Sequence, residues 1–441
     1  MGPTVCELDG PMPMVNRSNT LMDITGGISV RGDESIIIYS EPANKAMWLP
    51  TRLMKSNTLR LEPALFALLF YGAAAVAAAT PGSDDLAALG QAIFFDTNLS
   101  ANRTQACATC HDPAKAFTDS RDGGVSAAVS LGDDGTSFGD RNTPTITYAS
   151  LVPEFGRDAD GVYSGGAFHD GRAATLVEQA GQPFTNPIEM ALPDAAAVVQ
   201  RVRENPAYVA ALKQQFGETI FDDPDAAFLA IRESIVAFER SPLFAPFDSK
   251  YDRFLRGEYR LSASEEVGRK LFFSQLFNCH SCHLIETVEN QDGEAFSSHR
   301  YHNIGVPVNV AVRERNGLGG MYRDAGLSGN PAIDDLTQSG KFRVPTLRNV
   351  AVTGPYMHNG VFKDLDTVIL FYNKYTLSNP ESQTNPETGQ PWGEPEVPGT
   401  VDLELLTQGQ PISSLHVIAL KAFLEALTDQ RYEPLLDNKD R

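Results

Sequence analysis

Apolar positions recur along this chain at helical spacing. Phe228, Ile231, Ile235 and Phe238 fall three or four residues apart after Asp225, and Leu415, Ile418, Ala422 and Leu427 do so after Ser413. Each run follows a residue type that favours a helix start. Alternation of period two is scarce. Two stretches rich in Gly, Pro and Asn, about 286–340 and 376–410, predict loops too long to build a core unaided. The predicted fold class is all-α with long loops.

The same succession of segments occurs twice. "LGQAIFFD" (89–96) and "VGRKLFFS" (267–274) both place Gly, a large aliphatic residue and two Phe in one order. "NTPTI" (142–146) and "RVPTL" (343–347) share Pro-Thr, and "GGAFHDGRAATLVEQAGQPF" (165–184) is followed much later by "PYMHNGVFKDLDTVILFY" (355–372). Laying His169 on His358 without gaps pairs Gly171 with Gly360 and Leu176 with Leu365. The two then part: Pro183 faces Tyr372. A repeat this long is a duplicated domain, not a solenoid unit. The expected domains are 80–245 and 259–441, bridged near residues 241–259.

At 441 residues the chain exceeds one ordinary domain, and its formal net charge is −20 without any block of like charges. That argues against nucleic acid and anionic membrane as partners; it suits a basic protein partner or solubility alone. "MKSNTLRLEPALFALLFYGAAAVAAA" begins at Met54. Lys55 and Arg60 form a charged start, residues 64–76 an apolar stretch and Ala77–Ala79 a small-residue cleavage site. The expectation is a signal peptide over 54–79, with Met54 the true start, 1–53 a mis-called extension, and a periplasmic protein after cleavage. A membrane anchor is the rival, although the apolar run is short for a span.

Cleavage would remove Cys6 and leave four cysteines, as "CATCH" (Cys107, Cys110, His111) and "CHSCH" (Cys279, Cys282, His283). Two disulfides or a zinc site could use four cysteines, but neither needs histidine directly after each pair. Covalent haem attachment does: two thiols add to the vinyl groups and the adjacent imidazole reaches the iron. Two c-type haems are expected.

Together "LGQAIFFDTNLS…CATCHDPAKAFTD", "RNTPT", "FHDGRAATLVEQA…NPIEM", "CHSCH", "YHNIG" and "FRVPTLRNVAVTGPYMHNG" resemble the bacterial di-haem cytochrome c peroxidases, with their methylamine-utilisation branch, over nearly all of 84–432. The resemblance implies two cytochrome c-like haem domains packed around a shared interface, one haem meeting peroxide and the other passing electrons. It makes Tyr372 the distal ligand of the second iron, with Met357 and Met321 as rivals. Pro183 has no donor atom and would leave the first iron open. Glu189 matches the family's distal acid, which moves the peroxide protons, and its counterpart in the repeat is Ser378. Gln179 matches a polar group beside the bound oxygen species.

Asn142, Thr353 and Pro355 match positions that hold calcium through hard oxygen atoms. Arg348 and Arg172 are candidate partners for haem propionates. His302 reads as structural, and His280, His299 and His416 as surface residues. Two departures matter. No histidine lies between His111 and His169, so the latch that closes the first iron in many relatives is absent, and activity is expected in the fully oxidised protein. His169 stands where the family usually has tryptophan. It would carry electron holes poorly, and could instead bond a propionate or ligate the first iron.

The leading expectation is an exported peroxidase that reduces hydrogen peroxide with electrons from a small redox protein, a c-type cytochrome or a cupredoxin. A di-haem oxidase that modifies a partner protein, and a non-enzymatic electron carrier, are the alternatives. A homodimer stays open.

Overall fold

The computed structural model describes residues 83–283 and 293–437. The expected leader and the extension before it lie outside the described residues. The helices are α1 (Ser83–Phe94), α2 (Cys107–Cys110), α3 (Leu176–Thr185), α4 (Ala195–Arg203), α5 (Pro206–Phe216), α6 (Pro224–Glu239) and α7 (Lys250–Leu255). They continue with α8 (Ala263–Phe272), α9 (Cys279–Cys282), α10 (Val310–Arg315), α11 (Leu365–Phe371), α12 (Asn373–Thr376), α13 (Leu403–Leu406) and α14 (Ser414–Glu425). Among the described residues, strands amount to three antiparallel two-residue ladders. No described helix is long and apolar enough to cross a membrane.

Two large apolar clusters organise the helices. One gathers Phe94, Val198, Val202, Ile231 and Ile235 from α1, α4 and α6. The other gathers Tyr251, Phe272, Phe371, Leu420 and Phe423 from α7, α8, α11 and α14. Each is centred on a helix pair that crosses at a glycine. A Cβ on Gly90 of α1 would stand 1.8 Å from the Ser234 carbonyl oxygen of α6, and one on Gly268 of α8 1.8 Å from that of Ala419 in α14. In an ordinary helix Gly→Ala stabilises by about 1 kcal/mol. Here the sign should invert. Gly268→Ala is expected to lose about 1–3 kcal/mol through forced separation of the helices. Thermal unfolding would show this, and an unchanged or raised midpoint would refute the close crossing.

The periodicity reading holds for α6, where Asp223 caps the N-terminus and Ile231, Ile235 and Phe238 are buried. For α14 the cap is Ser413 as expected, but of the expected face only Leu427, just past the helix end, is fully buried. Leu415 and Ile418 are 77% and 60% exposed, while Val417, Leu420, Phe423 and Leu424 face the core. This helix is apolar on two faces, so spacing alone could not choose between them.

The repeat extends to individual hydrogen bonds. Thr145 Oγ1 donates to Ala116 O (2.6 Å), and Thr346 Oγ1 to Ala295 O (2.7 Å). Four residues on from Asn142 and Arg343, which open the two Pro-Thr segments, the chain carries an apolar residue; two further on, Tyr148 and Asn349 both take left-handed backbone angles, φ 59° and 61°. The segments also exchange bonds reciprocally: Asn142 N–H donates to His358 O (2.7 Å) and Arg343 N–H to His169 O (2.9 Å). Two copies of one motif thus meet through the same backbone groups, a local pseudo-two-fold arrangement.

Candidate active site

A cavity of about 740 Å³ runs between the two helical groups and is lined by both Cys-x-x-Cys-His motifs. Each motif forms one helical turn, α2 or α9. The following histidine closes it: His111 N–H donates to Cys107 O (2.9 Å) and His283 N–H to Cys279 O (3.0 Å). The rings are then oriented alike. His111 Nδ1 bonds Phe117 O (3.0 Å) and His283 Nδ1 bonds Phe296 O (2.9 Å). Donation from Nδ1 leaves Nε2 as the ligating atom. Burial lowers the pKa of both rings, His283 to about 4, which keeps them in the neutral form that binds metal. The four thiols are unpaired. Burial pushes those of Cys110 and Cys279 up to about 11 and 12.

Two unpartnered side-chain nitrogens test the fit to haem. Arg343 faces the cavity without a carboxylate partner among the described residues, and its Nε has no hydrogen-bond partner. Its closest polar contacts are His299 Nδ1 at 3.4 Å and Phe168 O at 3.5 Å. His358 Nε2, also buried against the cavity, lacks a partner too. Haem propionates supply the anionic oxygens that both lack, so the residues fit the group. Sequence reasoning missed Arg343; the signal was a cation opening "RVPTL", where the first half has Asn142.

The same cavity brings together Gln179, Pro183 and Glu189 from the first half and Tyr372 and Met357 from the second. Pro183 sits inside α3. Glu189 follows in a turn, its N–H donating to Asn186 O (3.0 Å). Burial raises the pKa of its carboxyl, opposed by the Arg172 charge and the Asn186 side chain. Tyr372 joins α11 to α12, and burial holds its phenol well above the ordinary value. Ser378 is exposed beyond α12. Asn142, Thr353 and Pro355 reach the cavity as well.

Several expectations need correction. Met321 is 91% exposed and cannot be a ligand. Arg348 is unavailable to a propionate: it is fully buried, with Nη1 and Nη2 on the Asp252 carboxylate (2.7 and 2.9 Å) and Nε on Glu294 O (2.6 Å). His299 is buried, beside Ser297 and Arg343, rather than at the surface. His280 is half-buried with an unpartnered Nδ1, and half-buried His416 packs on Phe277 with ring centroids 4.9 Å apart. His169 Nε2 hydrogen-bonds Asn142 O (2.8 Å), so a propionate or iron would have to meet Nδ1 or displace this contact. Burial lowers its pKa to about 4, leaving it neutral. His302 lines the cavity beside Cys282 and bonds Asp402 through Nδ1. Burial opposes its charge, but Asp402 at 2.8 Å helps raise its pKa to about 9.

Paired Cys-x-x-Cys-His turns on one cavity, in a helical duplicated chain, define a di-haem c-type oxidoreductase. The chain belongs to the di-haem cytochrome c peroxidase family, whose description matches residues 84–260. It is 55% identical over 371 residues to the methylamine utilization protein MauG of Paracoccus denitrificans (strain Pd 1222), covering 84% of this chain and 95% of that protein. It is 31% identical over 301 residues to the cytochrome c peroxidase Ccp of Escherichia coli (strain K12), covering 66% of this chain and 53% of the relative. The crystal structure of the dihaem peroxidase BthA from Burkholderia thailandensis E264 is similar at a TM-score of 0.69 and 30% identity, over 80% of this chain and 88% of that one. The chain is an enzyme of this family and carries two c-type haems.

Proposed function

We propose that the chain is a di-haem oxidase that consumes hydrogen peroxide at its first haem site and withdraws electrons from a partner protein, one belonging to methylamine utilisation. The observation that carries this reading is the inequality of two repeated sites: Pro183 and Glu189 line the cavity in one half, against Tyr372 and an exposed Ser378 in the other. When bound, the haems supply iron that takes peroxide and accepts and passes electrons. The protein supplies the rest. His111 and His283 offer Nε2 from fixed rings. Pro183 leaves room where Tyr372 closes it. Glu189 holds the proton that peroxide must move from its near oxygen to its far one, which leaves as water. Gln179 offers its side-chain amide to the same space.

Tyrosine rather than methionine at 372, and the absence of a histidine between His111 and His169, favour an oxidase ready in its fully oxidised state. The 55% identity to a MauG protein supports the same choice. A second reading, a peroxidase fed by a c-type cytochrome or cupredoxin, draws on His169, a neutral imidazole where relatives place an indole. The leader expected at 54–79 would put either activity in the periplasm. Peroxide added to the as-isolated ferric protein should change its spectrum without prior reduction. The spectrum should return on adding proteins of the methylamine-utilisation system, with little turnover of reduced cytochrome c. Fast cytochrome c turnover would select the peroxidase, and no reaction in any redox state would leave an electron carrier.

A further inference from the structure

A second, smaller cavity of about 240 Å³ adjoins the first, lined by Phe168, Arg172, Gln182, Thr185, Asn186 and Glu189. Four of these six also line the large cavity; Gln182 and Thr185 do not. Glu189 and its neighbours therefore form a shared wall, with the catalytic space on one side and the small pocket on the other. The wall is braced. The Arg172 guanidinium lies 3.6 Å from the centre of the Phe168 ring, and its Nη1 bonds Asp170 Oδ1 at 3.0 Å. The Asn186 side chain reaches the Glu189 carboxyl.

The repeat shows that this pocket belongs to one half alone. With His169 on His358, Gln182 corresponds to Phe371, Asn186 to Tyr375 and Arg172 to Val361. Phe371 is completely buried, packed 5.2 Å from both Phe362 and Trp392. Tyr375 is fixed by its hydroxyl to Ile304 O at 2.8 Å. Where the first half has amides and a guanidinium around a void, the second has interlocked aromatic rings.

We infer that the small pocket is the entry vestibule for hydrogen peroxide, delivering it past Gln182 and Thr185 to Glu189; this rests on the open first site proposed above. Its chemistry suits a small uncharged molecule that both donates and accepts hydrogen bonds, since amide, hydroxyl, guanidinium and carboxyl groups all face it. Its size admits a few water-sized molecules, each about 30 Å³, and falls below the ~300 Å³ at which pockets take drug-sized ligands. Larger reductants would not fit this pocket, so by this route a protein partner must give up its electrons from outside.

The test is cyanide binding to the full-length ferric holoprotein, comparing wild type with Gln182→Trp and Thr185→Trp. An entry route acts on passage in both directions. Association and dissociation rates should both fall by about tenfold or more while the equilibrium constant stays within about twofold, with the resting spectrum unchanged. Unchanged rates in both variants would overturn the inference. So would weakened binding at an unchanged association rate, because the pocket would then shape the bound state and not the path. Wild-type protein that binds no cyanide would instead sink the open-site reading, and the vestibule with it.

Discussion

Glu189→Gln should slow the reaction of the ferric protein with hydrogen peroxide by about 10²–10⁴-fold, the range for loss of a positioned acid–base group. The substitution preserves shape and keeps a polar end near Asn186. It removes only the ability to take a proton and return it. Haem attachment depends on Cys107, Cys110, Cys279 and Cys282, so the resting spectrum should survive. The pH profile gives a second check. Burial raises the Glu189 pKa above the ordinary carboxylate value, against the pull of Arg172 and Asn186. The proton-accepting form is therefore present above that raised pKa and lost as pH falls through it. Wild-type rates should drop on the acid side earlier than a surface glutamate would predict, and the drop should vanish in the variant. A variant that reacts at the wild-type rate would remove Glu189 from the mechanism.

Much of this site was legible in the chain because its chemistry is tied to local spacing. Cys-x-x-Cys-His is one helical turn plus a ligand, so five consecutive residues specify both thiols and the imidazole. The repeat was legible for the same reason. Gly90 and Gly268 fall in matching words because both remove a Cβ from a helix crossing. What failed depends on distant partners. Nothing near Arg348 in sequence announces Asp252, 96 residues away, which takes its guanidinium out of the cavity. Conversely, Arg343 lacks such a partner, and absence of a partner has no signature in a sequence. The buried face of α14 failed differently, since a helix apolar on two sides fits two registers. His169 was left with several roles because its Nε2 partner is one carbonyl, that of Asn142, 27 residues earlier, which no local pattern announces.

Tyr372→Phe should open the second iron to outside ligands, so that the ferric variant takes up a second equivalent of cyanide. Phenylalanine keeps the ring that packs at the junction of α11 and α12 and deletes only the oxygen. Burial holds this phenol above its ordinary pKa, so the anion would form there only with a strong Lewis acid at the oxygen. An anionic oxygen donor stabilises the oxidised metal, so its loss should raise the potential of the second haem as well. Tyr372→Met makes the complementary case. A neutral thioether should raise the potential too, yet keep the site closed to cyanide. Met357 is the competing donor, since it lines the same cavity. If Tyr372→Phe left the cyanide stoichiometry unchanged while Met357→Leu increased it, the cap would belong to Met357. The two halves would still be unequal, but the inequality would no longer rest on the phenol that replaces Pro183 in the repeat.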